Sequence, residues 1–570
     1  MENATQARTR GTQLSYDRAA DERRKMKWWG WGAPEHRYPL THMPGALEYL
    51  RRRLGIEALR EFEPPVIDAV QMPASQASPD LVQKLSAIVG GEHCRTGHRE
   101  RVLHSVGKGY KDLVRLRSLR LPLATDAVVY PQTAEQVANI LALCRSERVA
   151  VIPFGGGSCV VSGLDAERGK QHAVISLDLA FLNRLLTIDE SSLTANFEAG
   201  CFGPELEAAL RERGFTLGHF PQSFEYSTLG GWIAMRSSGQ NSLGYGGIDR
   251  LVERIVAVTP IGEIRTLSVP RRADGPDVNQ VLLGSEGTLG VITAATVRIR
   301  RLPKARDYFM FVFKSFTSAI DACRELVQAG ARPALLRISD EEETQGTLAM
   351  GQSAASGMKQ AKRRAAQWLL EQRGFRPPAL CTVLVGLEGV ADAIAIERRQ
   401  IRRHLQQRGG FYLGKSPGER WLASRFELPY LRDELIYNDL LIDTLETATT
   451  WSQLPLVYNA VRKALSEAAM AQGYPLMVYC HVSHFYPDGA SLYFTLLGRQ
   501  DRVDPIAQWL RIKTAANEAI RRHGAAISHH HGVGLDHREH TGRGEVEQAM
   551  LAQLKRTLDP DDIMNPGKLL

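Results

Sequence analysis

Three glycine-rich stretches in the first half of the chain constrain its fold more than any other feature. They are Pro153–Cys159 with three consecutive glycines, Gln222–Trp232 running on to Met235–Gly239, and Gly284–Ile292. Consecutive glycines let backbone N–H groups converge on an anion, because no Cβ blocks the approach. The first stretch follows the apolar run Val149–Pro153 and precedes Val160–Asp165, which is β-branched, broken by glycine and a poor helix start. The dinucleotide fingerprint, GxGxxG opening a helix, is therefore excluded. A Walker loop is excluded too, since no Gly-Lys-Ser/Thr follows. A pyrophosphate held by a loop between strands fits. Any one stretch alone reads equally as a turn, but all three in this order do not. The second offers hydroxyls, amides and small residues where a flat ring could lie, and the third is a tight turn feeding a strand.

Around these stretches the sequence alternates short strands with amphipathic helices. Strands are expected at 126–131, 149–153, 173–177, 193–198, 255–262 and 289–293. A helix capped by Thr133 is expected, and another over 204–213 closed by Gly214. Past residue 304 a second α+β pattern begins, with strands at 308–313 and 380–387 and a helix at 317–329. Residues 421–445 read as largely helical, and 476–481 with 491–496 as an antiparallel pair turning at Pro487–Gly489. The organisation expected is thus residues 1–120 as a helical arm and the start of the ligand domain, 121–303 as the ligand domain, and 304–570 as a second domain. Residues 1–25 lack apolar periodicity and are expected to be flexible. The aromatic string Met26–Gly32 reads as a hydrophobic clasp, and 559–570 as a loop docking back on the body. A chain of 570 residues is too long for one core.

Composition narrows the setting. Seven cysteines, an odd count with no CxxC pair, suit a reduced cytoplasmic protein rather than a disulfide framework. No apolar run reaches the ~18–20 residues of a membrane span and no signal-peptide core precedes Lys27, so any membrane contact is expected to be peripheral. The net charge of +8 is spread out, which suits solvated surface or a preference for phosphorylated ligands and anionic lipid. No nucleic-acid-binding motif is present, and nucleic acid is not an expected partner.

The second half supplies chemistry. Ser528–Gly534 carries His529, His530 and His531 between glycine and an apolar run. Imidazole exchanges protons near neutral pH, so this reads as a catalytic loop. A zinc site and a surface histidine run are the alternatives, but adjacent residues in extended chain face opposite ways, so no metal is expected. Tyr493 lies mid-strand, a position that also suits a core tyrosine. Arg337 and Arg432 each follow apolar residues. A phosphate or a salt bridge would satisfy either.

Taken together, these segments resemble the FAD-binding fold of the vanillyl-alcohol-oxidase/p-cresol-methylhydroxylase (PCMH) group, an α+β, two-lobed fold with a C-terminal substrate or cap domain. More specifically they are similar to the alkyldihydroxyacetonephosphate synthase (alkylglycerone-phosphate synthase) family. The resemblance rests on Met26–Gly32, Leu217–Trp232, Leu336–Asp340, Tyr430–Asp433, Asp488–Phe494 and Ser528–Gly534, the last matching letter for letter. It implies non-covalent FAD, since the first loop has no histidine to tether a flavin. It places the cofactor against Pro153, Phe154, Gly155, Gly156, Gly157, Ser158 and Cys159. It adds Gln222, Ser223, Phe224, Glu225, Tyr226, Ser227 and Thr228, then Met235, Arg236, Ser237 and Ser238. The last segment is Glu286, Gly287, Thr288, Leu289, Gly290, Val291 and Ile292.

The resemblance further implies exchange of the acyl group of 1-acyl-dihydroxyacetone phosphate for a long-chain fatty alcohol, an ether-lipid step. It is net non-redox, through a flavin N5 adduct. Tyr493 shuttles the C1 proton, Arg432 grips the phosphate, and Arg337 with His529–His531 orient the dihydroxyacetone end. Tyrosine needs a cationic neighbourhood to act as a base near neutrality, and the histidines and arginines are expected to supply it. The partners implied are this lipid phosphate and the alcohol, with a homodimer as the expected assembly. Ser491 stands where the family has cysteine, Gln222 where it has aspartate, and Asn565–Leu570 is closer to D-lactate and glycolate dehydrogenases. An FAD-dependent 2-hydroxy-acid dehydrogenase or oxidase is therefore the rival enzyme. A flavin- or lipid-binding protein with an inactive site is the non-enzyme alternative.

Overall fold

The structure, a computed structural model, describes residues 12–13, 26–59, 63–350, 368, 370–376 and 379–570. The expected flexible lead, residues 1–25, lies outside them except for Thr12–Gln13, which pair with Arg184–Leu185.

The first lobe is built on two sheets. In the smaller, Ala127–Val129, Ala173–Asp178 and Val149–Phe154 run parallel, in that order, with Cys94–Arg95 antiparallel at one edge. These short strands are buried on both faces, as their unbroken apolar sequence requires. Helix Ala134–Glu147 covers them. The Thr133 hydroxyl accepts from the Gln136 amide to cap it, and Val137, Ile140, Leu141 and Cys144 form its buried stripe. The larger sheet is antiparallel and contains Arg184–Asp189, Thr194–Glu198, Val291–Arg298, Val252–Thr259 and Gly262–Arg265. Helix Gly203–Arg211 ends earlier than expected. Glu212 caps it, and Gly214 closes the following turn at φ +79°.

The second lobe is a seven-stranded antiparallel sheet. Its order is Phe411–Gly414, Ala305–Phe313, Cys381–Gly389, Leu335–Ser339, Leu476–Phe485, Gly489–Arg499 and Leu440–Thr450. Helices Phe316–Gln328, Ala391–Gln407, Leu454–Met470 and Pro505–Arg522 pack on it around a second apolar core. One expectation fails here. Residues 416–424 and 428–437 are helical, but Leu440–Thr450 is an edge strand that pairs with Gly489–Arg499 along its whole length. Its threonines and isoleucine favour extended backbone, and pairing with the tyrosine strand overrides the helical spacing of its leucines.

The N-terminal helices serve both lobes. Pro79–Val89 packs into the first core, while Pro44–Leu54 packs against Leu431, Leu435, Leu440 and Met477 of the second. Trp28 and Trp31 of the aromatic string are buried at 4% and 3% exposure, as a clasp requires. The seven cysteines are free. No helix among the described residues is long and apolar enough to cross a membrane.

Candidate active site

The fold brings the three glycine stretches together. A Cβ on Gly155 would lie 2.5 Å from Thr228 Oγ1, and one on Gly156 would lie 1.9 Å from the Tyr226 carbonyl. A Cβ on Gly287 would lie 3.0 Å from the Pro153 ring. The C-terminal loop ties the set: Asn565 Nδ2 donates to the carbonyls of Gly163 (3.1 Å) and Glu286 (2.7 Å). Among the described residues, the amides of Gly155, Gly156, Gly157 and Ser158 donate to no protein acceptor. A loop of adjacent unclaimed N–H groups at the end of a parallel strand is a site for a pyrophosphate, so these residues fit FAD.

Many side chains in the expected cofactor segments hold the scaffold. Ser227 Oγ accepts from Trp232 Nε1 (2.7 Å), Thr228 Oγ1 caps helix Leu229–Met235, and Phe224 stacks on Phe426. Gln222 donates to the Arg425 carbonyl, joining the lobes. Cys159 Sγ accepts from the Gly163 amide, and burial pushes its thiol up to about 12. Val291 and Ile292 belong to the first core. Two side chains of these segments are engaged elsewhere. Arg236 is exposed and donates to Gln280, because its left-handed backbone (φ +52°) turns the chain outward after the helix. Glu286 points its carboxylate at the amides of Val533 (2.6 Å) and Gly534 (2.7 Å), so it holds the histidine loop.

In the second lobe Tyr493 sits in the middle of three strands. Glu446 is directly opposite on one side and His481 on the other. Residues directly opposite in a ladder share a face, so the three side chains form a row. The His481 ring stacks on Tyr493 at 4.6 Å. His530 and His531 approach the same ring at 6.0 and 5.4 Å. Arg337 joins through His481, donating to Glu343 (2.8 Å) with its Nη2 3.1 Å from His481 Nδ1. His529 is hydrogen-bonded to the Tyr486 hydroxyl (2.7 Å) and stacks on His484 at 4.7 Å. Burial holds His481, His484, His529, His530 and His531 below the ordinary imidazole value, and pushes Tyr493 up to about 12. The expected cationic neighbourhood is therefore corrected for the histidines, which surround the neutral phenol as neutral imidazoles; Arg337 favours the phenolate, while the nearby carboxylates Glu446 and Asp443 favour the protonated form.

His484, His529 and His530 each bring a nitrogen within 4.8 Å of the others. Both His529 nitrogens, however, already have protein partners, the Tyr486 hydroxyl at Nε2 and the His530 ring at Nδ1.

Arg432 stands in a neighbouring cluster. Its Nη1 donates to the Lys108 carbonyl (2.7 Å), and the Lys108 amide donates to the Cys159 carbonyl of the glycine loop. Its Nε and Nη2 are buried and have no partner among the described residues. Trp31 N donates to Asp433 Oδ2 (2.6 Å), and a Cβ on Gly30 or Gly32 would collide with Asp433 or Tyr430, so the aromatic string must pass flat against this helix. Burial pushes Lys108 down to about 8.

Sequence reasoning missed Glu446, His481, His484 and Glu343. Glu446 lies one residue past the segment 421–445 read as helix, in a strand whose first half that reading covered. His481 and His484, three apart, would face opposite sides of a regular strand. The ladder slips between Val482 and Phe485, and this irregularity lets both rings join the cluster.

Residues 125–268 match the FAD binding domain family, and residues 302–569 match the C-terminal domain of FAD linked oxidases. Over 96% of its length the chain is 31% identical to an alkyldihydroxyacetonephosphate synthase of Dictyostelium discoideum, covering 93% of that relative. This chain belongs to the alkyldihydroxyacetonephosphate synthase family. A solved alkyldihydroxyacetonephosphate synthase superposes with a TM-score of 0.82 at 29% identity, covering 96% of this chain and 99% of that one. A p-cresol methylhydroxylase shares the fold, with a TM-score of 0.65 at 16% identity over 86% of this chain and 96% of that one. The two-lobed PCMH-type fold and FAD as the cofactor of this synthase-family chain agree with expectation.

Proposed function

We propose that this enzyme exchanges the acyl group of 1-acyl-dihydroxyacetone phosphate for a long-chain alcohol, giving an ether-linked product and a free fatty acid. The observation that carries the reading is the row Glu446–Tyr493–His481 under the histidine loop, in a chain similar over nearly its full length to alkyldihydroxyacetonephosphate synthases. The Gly155–Ser158 amides would hold the FAD pyrophosphate. FAD, when bound, supplies an electron-accepting ring against which the dihydroxyacetone carbon is activated.

The chain's own residues do the rest. Arg432 offers its two unpartnered nitrogens to the phosphate, a bidentate fit. Tyr493 takes and returns the C1 proton through its phenol oxygen, while His530 and His531 beside the ring accept and relay it as neutral imidazoles. Arg337, fixed by Glu343, keeps a positive charge behind His481 and favours the tyrosinate when it forms. The acyl carboxylate leaves and the alcohol oxygen takes its place, so no electrons leave the protein. Peripheral contact with the membrane that dissolves the alcohol, a cytoplasmic setting and a homodimer belong to the same proposal.

The test is turnover without an electron acceptor. Anaerobic incubation with acyl-dihydroxyacetone phosphate and a fatty alcohol should give many equivalents of ether product per enzyme. If turnover needs an acceptor, or D-lactate alone bleaches the flavin, the 2-hydroxy-acid reading suggested by Asn565–Leu570 replaces this one.

A further inference from the structure

We infer that Glu446 is a positioning residue of the active site, whose carboxylate fixes the histidine loop over Tyr493. The inference rests on the reading of Tyr493 and His529–His531 given above.

Glu446 is 3% exposed and lies at the centre of an edge strand, with the loop passing over it. One carboxylate accepts from four consecutive residues. Oε1 takes the Ser528 hydroxyl (2.5 Å) and the amides of His530 (3.1 Å) and His531 (2.9 Å), and Oε2 takes the amide of His529 (2.5 Å). Ser528 Oγ in turn accepts from the amides of His531 (3.1 Å) and Gly532 (3.0 Å). The start of the loop is pinned to the same strand, where Thr447 Oγ1 donates to the Ala526 carbonyl and the Ala526 amide donates to Ala448. Three adjacent histidines have no regular backbone pairing of their own here. Without the carboxylate the amides of His529 and His530 would have no acceptor, so it decides the loop's conformation.

The same residue is tied to the acid/base group. Glu446 pairs with Tyr493 in the ladder, so whatever fixes the loop to Glu446 fixes the imidazoles relative to the phenol. Burial opposes its charge, but the Ser528 hydroxyl and the loop amides that donate to both oxygens stabilise the carboxylate and hold it well below the usual carboxylate range. A glutamine could not replace it. It keeps one acceptor oxygen and would turn an NH2 group toward N–H donors.

The test compares Glu446→Gln, Glu446→Asp and Ser528→Ala with wild type. Each is measured for FAD content, for kcat and KM in acyl exchange, and for hydrogen exchange of the peptide spanning residues 528–534. Glu446→Gln should keep its FAD and its KM, because Arg432 is untouched. Its kcat should fall by ~10²-fold, the cost of misplacing catalytic groups by about 1 Å, and its loop amides should exchange faster. Glu446→Asp, which keeps both oxygens, should recover part of kcat. Wild-type kcat in folded Glu446→Gln, or lowered stability with kcat and loop exchange unchanged, overturns the inference. Should Glu446→Gln not fold, Ser528→Ala decides in the same way, since it removes a single donor. Every variant is also assayed with D-lactate. If wild type oxidises D-lactate and does not exchange acyl chains, the functional proposal fails. A kcat loss in Glu446→Gln on D-lactate would then leave the inference standing.

Discussion

Tyr493 keeps its proton in the resting protein, since burial pushes the phenol up to about 12 and two carboxylates reinforce the effect. Its work as a base must therefore be coupled to proton acceptance by an adjacent imidazole, which is neutral in the resting protein; burial opposes the imidazolium that results, and the Glu446 carboxylate favours it. Tyr493→Phe retains the ring that packs on His481 and removes only the oxygen. We predict that it keeps its flavin and its folding temperature but loses about 10²–10⁴-fold in kcat, the usual loss for a general acid/base. Wild-type turnover in that variant would remove Tyr493 from the mechanism. Arg432 belongs to binding. Arg432→Lys keeps a charge but not the planar fork, and an ammonium cannot replace both unpartnered nitrogens. KM for the phosphorylated substrate should rise at least tenfold, while kcat at saturation changes less. A variant with unchanged KM would place the phosphate elsewhere.

Among elements, the C-terminal tail does more than close the chain. The Val151 amide donates to Ile563, and the Asn565 amide donates to the Val151 carbonyl, so the tail lies beside the strand that leads into the glycine loop. Asn565 bridges two cofactor segments, and the fully buried Lys568 donates to the Asp165 carbonyl just beyond the first. Deleting residues 563–570 should leave a protein that purifies without FAD and regains little on reconstitution. A truncated protein that stays yellow would show that the glycine segments hold their shape unaided. The docking of this tail was legible in the sequence, as were the strands flanking the glycine loop, the Thr133 cap and the tyrosine hairpin, because local periodicity and turn residues mark them. The strand Leu440–Thr450 was not. Its apolar spacing suits a helix, and only pairing with a strand some fifty residues away, Thr444 opposite Thr495 and Glu446 opposite Tyr493, decides the matter. The same non-local cause hid Glu446 and the slipped ladder that brings His484 to the site. Glu286 was legible as a site residue but not in its role, since its backbone belongs to one lobe and its carboxylate serves a loop of the other.

At the scale of the whole molecule, both lobes bury titratable groups, and their shifts set the pH at which the protein is most stable. Burial lowers His219 in the first lobe and His537 in the second to about 3, against an ordinary value of 6.5. The active-site histidines are lowered as well. A lowered pKa means that the unfolded chain binds the proton more readily. Each such histidine therefore contributes stability that is complete above ~6.5 and is lost as pH falls toward its folded value. Buried carboxyls act in the opposite sense. Burial raises Asp112 to about 8 and Glu286 and Asp340 to about 7, so their contribution is complete below ~4 and is lost as pH rises through 7 to 8. The histidines are more numerous, so acidification should dominate. We predict a melting temperature that peaks near pH 6.5–7, declines gently toward pH 8 and falls steeply between pH 6 and 4. The His537 ring bonds to Asn517, outside the cofactor segments, which makes it a useful probe. In His537→Gln, which keeps a polar group for Asn517 but cannot take up a proton, the acid slope should be shallower than in wild type. An acid slope unchanged in that variant, or a stability maximum below pH 5, would mean that the buried histidines do not control the pH dependence.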